Sequence, residues 1–149
     1  MTTTVVLADR LLPAVTALRR AVRRRTRERL GVEHLPAGRV ELLRAVEELP
    51  GAGVGAVARR LRLAENTVST AVRGAVADGH LVRRTDPADR RAVRLELTGA
   101  ARERLQRWRT ARSELVEAAL GRLPDADRTA LEAAVPALER LLDAVEGEP

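Results

Sequence analysis

Apolar positions set the first division of this chain. Near the start, Leu7, Leu11, Val15, Leu18 and Val22 fall three or four residues apart, which predicts a helix over about Leu7 to Leu30, stopped by Gly31. His34 to Gly38 reads as a connector. Val40, Leu43 and Val46 mark the inward side of a second helix over about Arg39 to Leu49, ended by Pro50 and Gly51. A short third helix is expected over Val54 to Leu61. A fourth, over about Glu65 to Asp78, turns Val68, Ala71, Val72 and Val76 inward; Asn66, Thr67, Ser69, Thr70 and Arg73 lie largely on its other side, and Gly79 ends it. The period then changes from helical to alternating. Leu81 to Arg84 and Ala92 to Leu97 read as two strands, the second with Val93, Leu95 and Leu97 on one face and Arg94 and Glu96 on the other. Thr98 stands where a helix N-cap is wanted, and a long helix carries Ala101, Leu105, Trp108, Leu115 and Ala119 to about Leu120. Gly121 and Pro124 break the chain. The last helix, about Arg128 to Val145 and capped by Asp125 or Asp127, places Leu131, Val135, Leu138, Leu142 and Val145 at near-heptad spacing; Pro136 is expected to kink or split it.

These elements predict a mainly α fold with one small β-hairpin. Two short helices with a tight link and a polar second face suggest a helix-turn-helix, and the hairpin that follows them directly makes it winged. The winged lobe is expected over residues 36–98, within a single domain 1–149. Between the strands, Pro87 presets a turn and Asp86 can bond back to a nearby amide. The stretch Gly51 to Ala56 has a glycine spacing reminiscent of dinucleotide loops. Such a loop must follow a buried strand, and here an acidic amphipathic helix precedes it, so a flexible connector is the better reading.

Composition changes the picture in two ways. The 149 residues contain no cysteine, which excludes disulfides and thiol-based sensing, and two histidines give little basis for a zinc site. No metal or cofactor is expected. The N-terminus has no long apolar run, which argues against a secretion signal or membrane span and makes the cytoplasm the default compartment. With one Trp and no Phe or Tyr, the core must be built from Leu, Val and Ala. The formal charge of +6 favours polyanionic partners, and its distribution is more telling. From Arg59 to Arg94 nine arginines face four acids; from Thr110 to the end four arginines face nine acids. Seven arginines between Arg19 and Arg29 allow a solvated face, a phosphate-facing flank or the wall of an anion pocket.

The chemistry implied is recognition of duplex DNA. Polar side chains on an exposed helix can reach base edges in the major groove, while arginines on phosphates set affinity and register. Asn66 suits adenine; Thr67, Ser69 and Thr70 suit bases or phosphates; Arg73 suits guanine or phosphate. Arg83 and Arg84 at the foot of the wing are further DNA-binding candidates. Arg90 at its tip could enter a neighbouring minor groove, with Asp86, Asp89 and Arg91 holding the shape of the wing. No Ser-His-Asp, Cys-His or paired-carboxylate arrangement stands out, so an enzyme is not expected.

The run Gly79-His80-Leu81-Val82-Arg83-Arg84, then Asp86-Pro87-Ala88-Asp89-Arg90-Arg91, then Leu95-Glu96-Leu97-Thr98, closely resembles the MarR family of bacterial transcription regulators. Residues 64–77 resemble that family's recognition helix and 35–49 its second helix, and the flanking helices match in order and length. Ala64 departs from the Ser or Thr that often caps the recognition helix, and Ala101 replaces a common Gly. The resemblance implies a homodimer, with 5–34 and 99–145 forming a helical dimerisation region, that reads a pseudo-palindromic duplex site and usually represses transcription. It also implies possible release by a small aromatic or phenolic anion, for which Arg20, Arg24 and Trp108 are candidate ligand-binding residues. The alternative is a protein-interaction or structural module that kept the fold without specific operator binding.

Overall fold

Backbone hydrogen-bond demand and the aliphatic pattern together produce six helices and one hairpin among the residues that the computed structural model describes, 3–31, 35–87 and 92–147. The order is α1 (Thr3–Leu30), α2 (Ala37–Glu48), α3 (Val54–Leu61), α4 (Glu65–Ala77), β1 (Leu81–Thr85), β2 (Val93–Leu97), α5 (Gly99–Leu120) and α6 (Asp125–Glu146). This is a winged helix-turn-helix. The chain divides into two compact units, one of residues 1–26 and 111–149, the other of residues 27–110.

The second unit holds the aliphatic core. Leu42, Leu43, Ala45 and Val46 of α2, Val57 and Ala58 of α3, and Val68, Val72 and Ala75 of α4 are buried together with Leu81, Leu95, Leu97, Ala101 and Leu105. Each helix gives one stripe and each strand one face, and the start of α5 completes the core with Ala101 and Leu105. The antiparallel register pairs Leu81 with Leu97 and Arg83 with Leu95, putting the apolar row inward. A third backbone segment joins the hairpin: the Leu95 amide donates to the Ala52 carbonyl at 3.0 Å. A Cβ on Gly53 would stand 3.1 Å from the Val93 carbonyl oxygen, so a residue without a side chain permits that approach. Thr98 does cap α5: its hydroxyl accepts from the Ala101 amide at 3.2 Å and donates to the Gly79 carbonyl at 2.9 Å.

In the first unit, α6 has no buried residue. Leu131, Val135, Leu138, Leu141, Leu142 and Val145 are exposed, as are Val5, Val6, Leu7, Leu12, Val15 and Leu18 of α1. Thr26 is fully buried, its hydroxyl donating to the Val22 carbonyl four residues back.

Two expectations for the last helix need correction. It begins at Asp125, behind Pro124 and without a side-chain cap. Asp125 and Asp127 therefore lie inside the first turn, where their charge complements the positive end of the helix dipole. Pro136 does not split the helix, which runs on to Glu146. The ring removes one amide, and the hydrogen-bonded turns on both sides carry the helix past it.

Candidate nucleic-acid interface

α4 positions the polar row. Val68, Val72 and Ala75 are buried on one side. Asn66, Thr67, Thr70 and Arg73 are exposed on the other, and Ser69 is half-buried. The exposed groups form a connected series. Asn66 Oδ1 accepts from the Thr67 amide at 2.7 Å; the Thr70 hydroxyl donates to the Asn66 carbonyl at 3.0 Å and accepts from Arg73 Nη2 at 3.0 Å. The sequence leaves the start of α4 without a cap, because Ala64 has no side chain to give and makes no capping bond. Asn66 supplies the missing acceptor from inside the first turn, satisfying one of the amides that a helix start leaves unpaired.

Residues that sequence reasoning passed over hold α4 in place. Arg39, in the first turn of α2, reaches across to α4 and donates from Nη1 to Asp78 Oδ2 at 2.8 Å. Its Nη2 lies 2.9 Å from where a Gly74 Cβ would be, so the guanidinium runs over the helix at its one glycine. The same Nη1 is 3.4 Å from His80 Nδ1. Guanidinium only donates, so a hydrogen bond between the two has Nδ1 as its acceptor, which the neutral ring supplies. Burial first, then the charges of Arg39 and Arg104, hold the His80 pKa below its ordinary value, against a smaller upward pull from Asp78. At the other end of α4, the Glu65 carboxylate occupies the space over Gly55, 2.9 Å from where a Cβ would sit. Farther down, Arg109 of α5 grips Glu47 of α2 with two bonds, 2.6 and 3.1 Å. The signal for these pairs was the unexplained charge on otherwise core-facing helices; their partners lie up to 62 positions apart in sequence.

The wing is braced at its base. Asp86 accepts from Arg94 Nε at 2.7 Å, so the structural role expected of Asp86 has a partner the sequence reading did not name. The register sets Arg84 directly opposite Arg94. Two like charges there would repel; each turns to an acid instead, Arg84 to Glu96 at 3.2 Å and Arg94 to Asp86. Arg83 is exposed. Asp89, Arg90 and Arg91 lie outside the described residues. Arg20 and Arg24 are exposed on α1 in the first unit, and Trp108 is half-buried on α5 in the second. Among the described residues no group of three or more acidic or histidine side chains is arranged to hold a metal ion, and no helix is long and apolar enough to cross a membrane.

Comparison with known proteins agrees with this geometry. Residues 35–92 match the model of the MarR family. None of the curated proteins matches the sequence. Among solved structures, the chain is similar to a transcriptional regulator protein from Pseudomonas aeruginosa, at 27% identity and a TM-score of 0.75, over 95% of this chain and 97% of that one. It shares its fold with a MarR family protein from Bacillus stearothermophilus, at 20% identity and a TM-score of 0.75, over 96% of this chain and 99% of the other. It also shares its fold with Streptococcus pneumoniae FabT, solved in complex with DNA, at 16% identity and a TM-score of 0.76, over 93% and 99% of the two chains.

Proposed function

Because residues 35–92 match the model of the MarR family and the chain shares its fold with solved transcriptional regulators, we propose that it is a MarR-type homodimeric repressor reading a pseudo-palindromic duplex site. The observation that carries this reading is the connected polar row on α4, outward-facing over a buried Val68, Val72 and Ala75 side. A helix held this way can lie in a major groove and exchange its internal hydrogen bonds for base edges. Asn66 presents the group suited to adenine, and Arg73 the one suited to guanine or phosphate. Arg83 and Arg84 are exposed at the wing; a surface pair such as Arg84–Glu96 contributes so little that it yields easily to a phosphate.

The dimer is supported by α6. A helix with an aliphatic stripe and no buried residue has burial left to gain, and a second copy supplies it at the chain's own concentration. Two lobes related by a two-fold axis would then meet two half-sites one helical turn apart. Selection of binding sites from random duplexes tests the reading. A recurring inverted repeat is expected, and Asn66→Ala should relax the preference at particular positions. No enrichment of any sequence by the purified protein would reject the repressor, and a stable protein partner in that case would favour an interaction module. Release by a phenolic anion is a further part of the proposal, supported by the exposed guanidinium groups of Arg20 and Arg24. Trp108, the sole tryptophan, gives a fluorescence readout for a titration with salicylate.

A further inference from the structure

Four described residues have a positive φ: Gly31, Gly51, Gly79 and Arg62. Three are the residue that tolerates this backbone, and the fourth carries the longest side chain in the sequence. The setting of Arg62 has an internal control. α4 ends with the His80 amide donating to the Ala75 carbonyl at 2.8 Å and the Gly79 amide to Val76 at 3.0 Å. α3 ends with the same pattern, the Leu63 amide donating to Ala58 at 3.0 Å and the Arg62 amide to Arg59 at 3.1 Å. Both are Schellman ends, which place one residue in the left-handed region. That residue is Gly79 at φ 70° in one and Arg62 at φ 54° in the other. A Cβ on Gly79 would meet nothing within 4 Å, so the glycine there answers to backbone angle alone. The turn of a helix-turn-helix also often contains glycine. Arg62 thus breaks a local preference that the same chain obeys a few turns later.

Strain of this kind persists only where the surrounding structure holds it, and it clusters at sites that bind or switch. A favourable cation at the end of α3 is not reason enough, because Arg59 and Arg60 already stand in its last turn. Arg62 is exposed in the link to α4 and opens an exposed run, Leu63 to Thr67, that leads into the polar row. We propose that Arg62 is a phosphate-binding residue: its guanidinium takes a backbone phosphate beside the groove in which α4 lies and sets the register of the helix on the duplex. The left-handed backbone, pinned by two hydrogen bonds, fixes the direction in which the side chain leaves the turn. This inference rests on the DNA-binding reading above.

The experiment compares wild type with Arg62→Gly and Arg62→Lys, each measured for thermal unfolding and for binding to the selected duplex across a salt series. Arg62→Gly should raise the unfolding midpoint by roughly 2–5 °C by relieving the backbone. It should also weaken binding about tenfold on every duplex tested and lower the slope of log affinity against log salt by about one. Arg62→Lys should retain the slope. Unchanged affinity and slope in Arg62→Gly, with wild type still selective, would overturn the role of Arg62 alone. So would a lowered unfolding midpoint, which makes the residue structural, or a loss confined to one base position, which makes it a base contact. Wild type that selects no duplex would overturn the DNA-binding reading and this inference with it.

Discussion

The two units use the same aliphatic alphabet to different ends. Around α2–α4 and the hairpin, Leu42, Val57, Val68, Val72, Leu81 and Leu95 are almost wholly withdrawn from water. In α6, Leu142 keeps 57% of its surface and Val145 65%. Each such side chain contributes about 1.5–3 kcal/mol when fully buried. The lobe has realised that contribution within one chain; α6 has not. Periodicity tells where a helix has a side to bury and is silent about what buries it. The contrast separates a unit whose aliphatic stripes are buried within one chain from a unit whose stripes still face water, which is the surface the proposed dimer would cover.

Truncation is the strongest way to break the contrast. Leu81→Ala should destabilise the lobe by about 2–5 kcal/mol, read from urea unfolding. Leu142→Ala, by contrast, should leave dilute protein nearly unchanged and raise the dissociation constant of the dimer in sedimentation, with a midpoint that depends on protein concentration. If both lose stability equally at every concentration, α6 is buried within the monomer and the contrast fails. Next in size, Gly38→Ala should gain up to about 0.5–1 kcal/mol, because a helical alanine replaces glycine and nothing lies within 4 Å. Gly74→Ala should gain nothing, because its methyl displaces Arg39 from Asp78. Equal gains would show that the Arg39 contact does not bind α2 to α4. Arg109→Ala should lose about 0.2–1 kcal/mol, since the Glu47 pair is part-exposed.

The smallest effect is a pH dependence confined to the lobe. Folded His80 holds its proton less tightly than the unfolded side chain, whose pKa is 6.5. The unfolded chain therefore binds more protons on acidification, and this contribution to stability is lost as pH falls below about 6.5 toward the lower folded value. Unfolding midpoints at pH 7.5 and 5.5 should separate more widely in wild type than in His80→Gln. A wider separation in the variant would reverse the sign assigned here.

Much of this architecture was legible because short-range rules govern it. The stripes of α2 and α4 gave their inward sides, Thr98 announced the start of α5, and the residues from Gly79 to Thr98 carried the wing. What was not legible depends on partners distant in sequence or on cooperativity. The bond between Ala52 and Leu95 joins a connector to a strand across more than a helix-turn-helix. Arg94 as the mate of Asp86 follows from strand register, which spacing alone does not set. Pro136 was expected to kink or split α6; the helix is not split, because the turns around it outvote one missing amide. On the candidate interface, the polar row could be named in advance, whereas the use of Asn66 as a substitute cap could not: it depends on the rotamer of one side chain, which helical spacing does not set.

The stitch between Ala52 and β2 has a mechanical consequence. Because the strand is laced to the residues that lead into α3, the hairpin is no independent flap. A displacement of β2 would pull on the segment ahead of α3, whose Val57 and Ala58 share a core with Val68 and Val72 of α4. In the proposed DNA-bound state, wing and polar row would then shift together.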